Sequence, residues 1–311
     1  IASCLVGSEM CIRDSWGSSN LRAYLISPNG ERLDAHEMPA GVATLDRDDM
    51  VVAANTIRAR WPAARHAYAA GMIGSNVGWI DAGYVECPAG VASIAQQLVP
   101  ARIGELSVSI VPGMACVRPV DGMPDVLRGE ETELLGLLRG GDVGPDAIVA
   151  LPGTHTKWIQ LIDGQVHSFM TSMSGELFDR LASGGLLASV LEGPGEPGPA
   201  FVEGVHAGAD RRLGLGALLF GVRARMIRGT LPRTATSAYL RGLLAGAEIA
   251  DALALFPGLR SASVPLVGSG PVTRLYQAAL SEIGIATHAV ASADAVVRGF
   301  SALHAMTATA R

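Results

Sequence analysis

The sequence predicts an α/β protein built of two domains, over residues 1–142 and 143–311. The chain has 311 residues, and a domain holds roughly 100–200 residues. Short apolar runs alternate with segments of helical pattern, which is typical of an α/β fold. Glycine supplies 38 of the residues, above the usual share of roughly 7%. We therefore expect a buried α/β core with many tight turns.

Composition and charge exclude several classes of protein. The sequence has 24 Lys and Arg against 29 Asp and Glu, and no basic block, which argues against a nucleic-acid-binding protein. Its longest stretches without a charged residue are 15 residues, at 66–80 and 87–101, whereas a membrane span needs about 20 apolar residues. The four cysteines form no CxxC or Cys/His cluster. We therefore expect reduced thiols and a cytoplasmic location, and a homo-oligomer is left open.

The first half of the chain reads as strands and helices in alternation. Asn29-Gly30 between apolar runs predicts a hairpin, and acids at the start of 46–61 favour a helix there. A buried strand enters a glycine-rich loop at 71–78, which could hold a ligand at the carboxyl end of a sheet. The predicted elements are a strand at 23–27, a helix at 46–61, strands at 67–73 and 107–111, and a helix at 130–138.

The second half repeats this alternation. A strand enters Pro152-Gly153, and a hairpin turns at Asp163-Gly164. The glycine- and proline-rich stretch 192–199 predicts a loop. The predicted elements are strands at 147–151 and 158–162, helices at 174–191, 201–228 and 234–256, a strand at 264–267, a helix from 270 to 283, a strand at 286–290 and a helix at 293–308.

An internal duplication is the most informative feature of the sequence. Residues 17–30 and 153–164 share a glycine, a hydroxyl residue, a nearby basic residue, an apolar strand and a hairpin turn, 136 residues apart. Glycine lets backbone N–H groups approach an anion, and hydroxyls add donors. Each copy joins strand to strand, unlike a P-loop, which enters a helix. The alternative is two ordinary hairpin turns; the pairing favours two phosphate turns that clamp ATP.

Paired phosphate turns on two α/β halves resemble the sugar kinase, heat-shock protein 70 and actin superfamily. More narrowly, the chain resembles the 2-dehydro-3-deoxygalactonokinase family. The matching segments, in family order, are Trp16–Ala23, Ala70–Trp79, Arg128–Thr132, Leu151–Trp158, Met173–Glu176, Gly229–Arg233 and Leu243–Glu248. The resemblance implies an actin-like ATPase (ribonuclease H-like) fold with two related domains around a central cleft. It also implies Mg²⁺-dependent transfer of the ATP γ-phosphate to the 6-hydroxyl of 2-dehydro-3-deoxy-D-galactonate, in galactonate catabolism.

The resemblance and the motif chemistry together suggest site residues. For the general base we favour Glu130 ahead of Glu131, although two acids at a helix start are also ordinary capping charges. Asn20, Arg22, Ser75 and Asn76 are the candidates for binding the sugar acid, because Arg binds carboxylates bidentately. The candidate ligands of phosphate and ATP are Gly17, Ser18, Ser19, Gly153, Thr154, His155, Thr156, Lys157, Gly268, Ser269 and Gly270.

The first phosphate turn departs from the family pattern. Ser15 stands where an Asp is expected, and Asp14, the candidate Mg²⁺ ligand, is displaced by one position. A one-residue slip in a strand turns side chains to the other face. We expect residues 1–15 to be non-native. Two alternatives follow: a kinase for another sugar or sugar acid, or a non-catalytic relative that binds nucleotide or sugar.

Overall fold

The structure is a computed structural model, and it describes residues 9–13, 20–27, 30–64, 66–261, 263–268, 270–292 and 294–309. Its strands are β1 Glu9–Arg13, β2 Leu21–Ile26, β3 Arg32–Met38, β4 Ala67–Ala69, β5 Tyr84–Glu86, β6 Val99–Ile103, β7 Leu106–Ile110, β8 Gly113–Val117, β9 Pro124–Leu127, β10 Ala147–Leu151, β11 Thr156–Ile162, β12 Gln165–Ser172, β13 Val264–Val267 and β14 Thr287–Val290. Its helices are α1 Arg47–Arg60, α2 Val91–Gln96, α3 Glu130–Gly140, α4 Ser174–Ser183, α5 Gly185–Ala188, α6 Pro199–Ala209, α7 Leu215–Ile227, α8 Thr236–Leu255, α9 Pro271–Glu282 and α10 Ala295–Thr309.

Two sheets share the order of five strands, and the first has a sixth strand, β6, at its edge. The first runs β3-β2-β1-β4-β7-β6 and the second β12-β11-β10-β13-β14. In each, an antiparallel meander of three strands is followed by two strands parallel to the first of them. The fold prediction is confirmed: the chain has the actin-like fold, with two related α/β halves. The strand at residues 9–13 occupies the centre of its sheet, between β2 and β4.

The last helix returns to the first half of the chain. Helix α10 lies so close to α3 that a Cβ added to Gly136 would be 1.5 Å from the carbonyl oxygen of Ala295. A Cβ on Gly299 would be 1.9 Å from the carbonyl oxygen of Thr132. The two helices therefore pack backbone to backbone, and α10 fixes the helix on which Glu130 and Glu131 lie. The predicted division at residues 142 and 143 stays a prediction.

A hydrophobic core continues from one sheet to the other. Tyr68 and Phe300 belong to the same buried cluster as Val149 and Phe169. A third sheet, β5-β8-β9, contributes Val85, Met114 and Leu127 to that cluster. Burial of this apolar surface stabilises the two halves against each other.

Three predicted elements differ from the observed ones. The helix expected at 174–191 is broken into α4 and α5, because Gly185 takes a left-handed backbone with φ of 78°. The helical segment 201–228 is two helices, α6 and α7, with Asp210–Gly214 between them. The strand expected at 67–73 ends at Ala69, and residues 72–74 form one turn of 3₁₀ helix. Among the described residues, no helix is both long and apolar enough to span a bilayer.

Candidate active site

The second predicted phosphate turn lies between β10 and β11. Thr154 and His155 are exposed, and no atom lies within 4 Å of the position that a Cβ on Gly153 would take. Backbone on that side is therefore open to a ligand. Thr156 and Lys157, which follow, are buried at the start of β11.

The two threonines of this turn have different surroundings. Thr156 is fully buried, and its hydroxyl lies 2.8 Å from the hydroxyl of Tyr276. The backbone N–H of Gly153 points at the same Thr156 oxygen, at 3.4 Å. Thr154 lines a cavity instead. The hydroxyl of Thr154 is thus the accessible one, while that of Thr156 is already hydrogen-bonded inside the protein.

Helix α4 packs directly on the turn. A Cβ on Gly175 would lie 2.6 Å from the carbonyl oxygen of Gly153, and the N–H of Glu176 donates to the carbonyl of Thr154 at 3.0 Å. The side chain of Glu176 lies 2.7 Å from His155 Nε2. Hydrogen bonds from His155 and then Arg180 hold the pKa of Glu176 below its usual value. The amino end of a helix, which favours anions, therefore adjoins the turn.

A cavity of about 160 Å³ opens beside this turn. Gly153, Thr154 and the first residues of α4 form one wall, and α8 and α9 form the opposite wall. Its apolar lining comes from Phe178, Leu244, Ala245, Val272 and Leu275. Apolar lining with a few polar groups is typical of small-molecule sites.

The predicted adenosine turn lies at the end of β13, next to this cavity. Gly268 and Gly270 have φ of 112° and 104°, a backbone that favours glycine. Gly270 is the residue that caps α9, and α9 lines the cavity. Ser269 lies outside the described residues.

Arg241 supplies a cation to the cavity wall. Its guanidinium lies 3.6 Å from the centre of the Phe178 ring, a cation–π geometry. Burial lowers the pKa of Arg241, against an opposing effect of Asp179. Arg241 was not among the predicted site residues, because no local motif surrounds it.

The candidate base contacts the second turn through an ion pair. Lys157 Nζ lies 2.9 Å from Glu130 Oε1, with side chains 7% and 26% exposed. The other oxygen of Glu130 accepts the backbone N–H of Arg128 at 3.2 Å. Lys157 is the only lysine in the sequence. This pair joins α3 of the first half to β11 of the second.

Glu131 has a different environment. It is fully buried, and one oxygen accepts the N–H of Gly129 at 2.6 Å, while the other has no hydrogen-bond partner. Burial, with a smaller effect of Glu130, raises the pKa of Glu131 to about 8. Glu131 is therefore mostly protonated at neutral pH, and of the two acids only Glu130 has a solvent-facing carboxylate. Gly129, with φ of 106°, allows the turn into α3.

The side chain of Arg128 packs against the glycine-rich loop at 71–78. Arg128 donates to the carbonyl of Gly83 at 2.8 Å, and its guanidinium lies 4.5 Å from the centre of the Tyr84 ring. A Cβ on Gly74 would be 2.9 Å from Arg128 Nη1. The Nε and Nη1 atoms of Arg128 are buried without a hydrogen-bond partner. This buried cation was not among the predicted site residues, although it directly precedes Gly-Glu-Glu.

The other substrate candidates lie in separate places. Ser75 is buried and donates to the carbonyl of Met72 at 2.7 Å, so its hydroxyl has a structural partner. Asn76 is exposed on the same loop. Asn20 is exposed before β2, and Arg22 pairs with Glu37 on β3 at 2.9 Å. The first turn's Gly17, Ser18 and Ser19, and Asp14, lie outside the described residues.

The residues that the structure describes do not compose a resident metal site by themselves. Within the described part of the chain, no three Asp, Glu, His or Cys side chains are grouped to hold a metal ion. The acids nearest the second turn, Glu130 and Glu176, each have a partner. Mg²⁺ usually keeps waters and phosphate oxygens as ligands and needs only one or two carboxylates.

Comparison with known proteins decides the family. The 2-keto-3-deoxy-galactonokinase family matches residues 15–303. The chain belongs to this family. The chain is 35% identical to the 2-dehydro-3-deoxygalactonokinase of Escherichia coli (strain K12), over 93% of this chain and 95% of that protein. It is 36% identical to a protein of Rhizobium meliloti (strain 1021) named probable 2-dehydro-3-deoxygalactonokinase, over 92% and 94% of the two chains.

A solved structure agrees with this membership. A Sinorhizobium meliloti protein whose crystal structure is named for a 2-dehydro-3-deoxygalactonokinase is similar with a TM-score of 0.84 and 32% identity. The match covers 97% of this chain and 99% of that one. The family predicted from the seven sequence segments is confirmed, and the chain is an enzyme of a kinase family.

Proposed function

We propose that this member of the 2-keto-3-deoxy-galactonokinase family transfers the γ-phosphate of ATP to the 6-hydroxyl of 2-dehydro-3-deoxy-D-galactonate. The observation that carries the assignment of the site is the 2.9 Å ion pair between Glu130 and Lys157. It brings the candidate base of one half to the phosphate turn of the other. Family membership supports the substrate, since the relatives are named for it.

Phosphoryl transfer depends on positioning and on electrostatic stabilisation of the phosphoryl oxygens. The cavity beside Gly153 would take the nucleoside, with its apolar walls from α8 and α9. The phosphates would lie over the open backbone of Gly153 and the exposed Thr154, at the amino end of α4. Lys157 Nζ would reach the terminal phosphoryl group, because it already projects from this turn toward the first half.

Glu130 would accept the proton of the attacking hydroxyl. A general base must lie within hydrogen-bond reach of that proton, and the Glu130 carboxylate is next to the cation that would hold the phosphoryl group. Glu131, which is neutral and buried, would instead stabilise the turn into α3 by accepting the backbone N–H of Gly129. The preference for Glu130 over Glu131 thus rests on exposure and charge state.

The acceptor would lie under the glycine-rich loop at 71–78, with Asn76 available to its hydroxyls. Its carboxylate needs a cation, and Arg22 remains the candidate, on condition that it releases Glu37. We also propose Mg²⁺ as the cation bound with ATP, and a cytoplasmic location. The first turn's Gly17, Ser18 and Ser19 remain proposed phosphate ligands, as does Ser269 for adenosine.

A panel of acceptors tests the proposed substrate. Purified chain would be given ATP and, in turn, 2-dehydro-3-deoxy-D-galactonate and its gluconate-derived isomer, with ADP release as the readout. Phosphorus NMR of the product would locate the new ester. We expect turnover of the galactonate form and a phosphate at its 6-position. Turnover of the gluconate-derived isomer with an inert galactonate form would contradict the substrate.

The displaced first motif has its own test. Ser15→Asp restores the acid that the family places before Trp16. ATP binding and turnover would be compared between wild type and Ser15→Asp. Higher turnover in Ser15→Asp at equal ATP affinity would indicate that the first turn limits activity, whereas equal turnover in both would show that it does not.

A further inference from the structure

A buried chain of hydrogen bonds lies behind the second phosphate turn. It consists of Thr156, Trp158, Glu248 and Tyr276, which we call the Glu248 network. All four side chains are 5% exposed or less. Trp158 Nε1 lies 2.8 Å from one oxygen of Glu248, and the Tyr276 hydroxyl lies 2.7 Å from the other. Thr156 then meets Tyr276 at 2.8 Å.

The donors in this network have a fixed direction. An indole N–H can only donate, so Glu248 accepts from Trp158. Tyr276 donates its one proton to Glu248, and burial raises the pKa of Tyr276 well above its usual value, so the proton stays on the phenol. Tyr276 must therefore accept from Thr156. The Thr156 oxygen can then accept a hydrogen bond, and the N–H of Gly153 lies 3.4 Å from it, while the carbonyl oxygen of Gly153 lies 3.5 Å from the same atom.

The network joins the turn to the helices of the opposite cavity wall, α8 and α9. Thr156 and Trp158 lie on β11, Glu248 on α8 and Tyr276 on α9. Tyr276 also lines the cavity, and α9 begins at Gly270, in the turn proposed for adenosine. A displacement of α9 would therefore pass to Thr156 and to the backbone of Gly153.

A buried carboxyl group is costly unless its oxygens are hydrogen-bonded. Burial raises the pKa of Glu248, and hydrogen bonds from Ser174, Trp158, Tyr276 and Ser172 oppose that effect. Apolar residues could fill the same volume. A fully partnered polar network in this position therefore suggests a role in fixing one geometry.

We propose that Glu248 and Tyr276 are positioning residues that hold the second phosphate turn in the conformation that receives ATP. This inference rests on the proposed function to the extent that the turn binds the phosphates of ATP. It adds that the nucleotide pocket and the turn are coupled through Tyr276, and that Thr156 acts through Gly153 rather than by donating to phosphate.

Tyr276→Phe is the direct test, because it removes one hydroxyl and keeps the ring. Tyr239→Phe is the matched control: Tyr239 is also buried, and its ring lies under Arg225 at 4.7 Å, outside the network. ATP affinity would be measured by calorimetry without sugar acid, and KM values for both substrates and kcat by ADP release. Loss of one hydrogen bond corresponds to a change of roughly fivefold.

We expect Tyr276→Phe to weaken ATP binding about fivefold, with the KM for the sugar acid unchanged and Tyr239→Phe like wild type. Thr156→Val should weaken ATP binding to a similar extent, and Thr156→Ser should restore it. The ATP affinity of the Thr156→Val/Tyr276→Phe double variant should be no lower than that of the single variant that binds ATP less tightly. Equal ATP binding in Tyr276→Phe and Tyr239→Phe, or additive losses in the double variant, would overturn the proposal.

These readouts separate the inference from the proposed function. If wild type binds ATP but does not phosphorylate the sugar acid, the proposed reaction fails while the ATP comparison still tests the network. If Tyr276→Phe lowers only the melting temperature and leaves ATP affinity intact, the network is purely structural and the inference fails. Absence of ATP binding in wild type would overturn both.

Discussion

Glu130 Oε1 and Lys157 Nζ lie 2.9 Å apart across the two halves of the chain. Each comes from the motif that its own half contributes to the site: the acid from the start of α3, and the lysine from the second phosphate turn. In this ion pair the two charges neutralise each other. A phosphoryl group beside Lys157 would share its charge and leave the carboxylate of Glu130 next to the acceptor hydroxyl.

Substitution of Lys157 should separate binding from chemistry. Lys157→Met removes the cation and keeps most of the apolar stem, so we expect ATP affinity to fall and kcat/KM to drop about tenfold or more, as for loss of one strong electrostatic contact to the phosphoryl group. Lys157→Arg keeps the charge but has a planar fork in place of a point charge. It should recover ATP affinity more fully than kcat. A Lys157→Met protein with wild-type kcat/KM would exclude Lys157 from the site.

The single lysine also permits a chemical test. An amine-selective reagent can modify no side chain other than Lys157 in this sequence, apart from the terminal amine. We expect ATP to slow that modification, measured by mass spectrometry of the peptide containing Trp158. Sugar acid alone should protect less. Equal rates of modification with and without ATP would argue against phosphate contact by this residue.

Because α4 packs against the turn, one methyl group added at Gly175 should weaken the use of ATP. Gly175→Ala places a Cβ 2.6 Å from the carbonyl oxygen of Gly153, so the turn must shift. We expect the KM for ATP to rise about tenfold, since small misplacements at a reacting site are costly. Gly216→Ala on α7 is the control, because no atom lies within 4 Å of its added Cβ. That control should keep wild-type kinetics and gain stability, as helical Gly-to-Ala changes do.

The buried carboxyl group of Glu131 should make the free energy of unfolding depend on pH. Its pKa in the folded chain is about 8, above the value of about 4.3 in an unfolded chain. Between these values the folded state binds more protons than the unfolded state, so the stability contributed by Glu131 is full below pH 4 and is lost as pH rises through 8. Glu131→Gln should remove this loss and raise the melting temperature at pH 9 by roughly 2 °C or more relative to wild type.

Urea unfolding at pH 6 and pH 9 checks this prediction. The difference between wild type and Glu131→Gln should be larger at pH 9 than at pH 6. If Glu131→Gln destabilises the chain equally at both pH values, Glu131 is ionised in the folded state, and the distinction between the two acids would have to be reconsidered.

The sequence predicted those site residues that belong to local motifs. The duplicated turns predicted two related sheets, because a glycine, hydroxyls and a following strand recur at one spacing. Glu130 and Lys157 were both selected, but not their contact, since nothing in a local pattern shows which residues meet across a cleft. Thr156 illustrates the same limit: as a hydroxyl in a glycine turn it resembled a phosphate donor, and its partner Tyr276 is 120 residues away.

Residues outside motifs were missed for a related reason. Tyr276 and Arg241 have roles in the structure that depend on burial and on partners from other elements. Arg128 and Glu248 were named only as parts of segments that resemble the family, because their roles also depend on distant partners. In contrast, Gly184–Gly185 and the charged residues in 210–214 stand in the sequence, and the predicted helices ran through both places.

The kinetics of two amide variants test the central claim, that Glu130 is the base of a kinase acting on 2-dehydro-3-deoxy-D-galactonate. Glu130→Gln and Glu131→Gln would be assayed with ATP and this acid, with ATP affinity measured separately. We expect Glu130→Gln to lower kcat about 100-fold or more, as for loss of a general base, at near-normal ATP affinity, and Glu131→Gln to lose far less. Near-normal kcat in Glu130→Gln, with the large loss in Glu131→Gln, would contradict it.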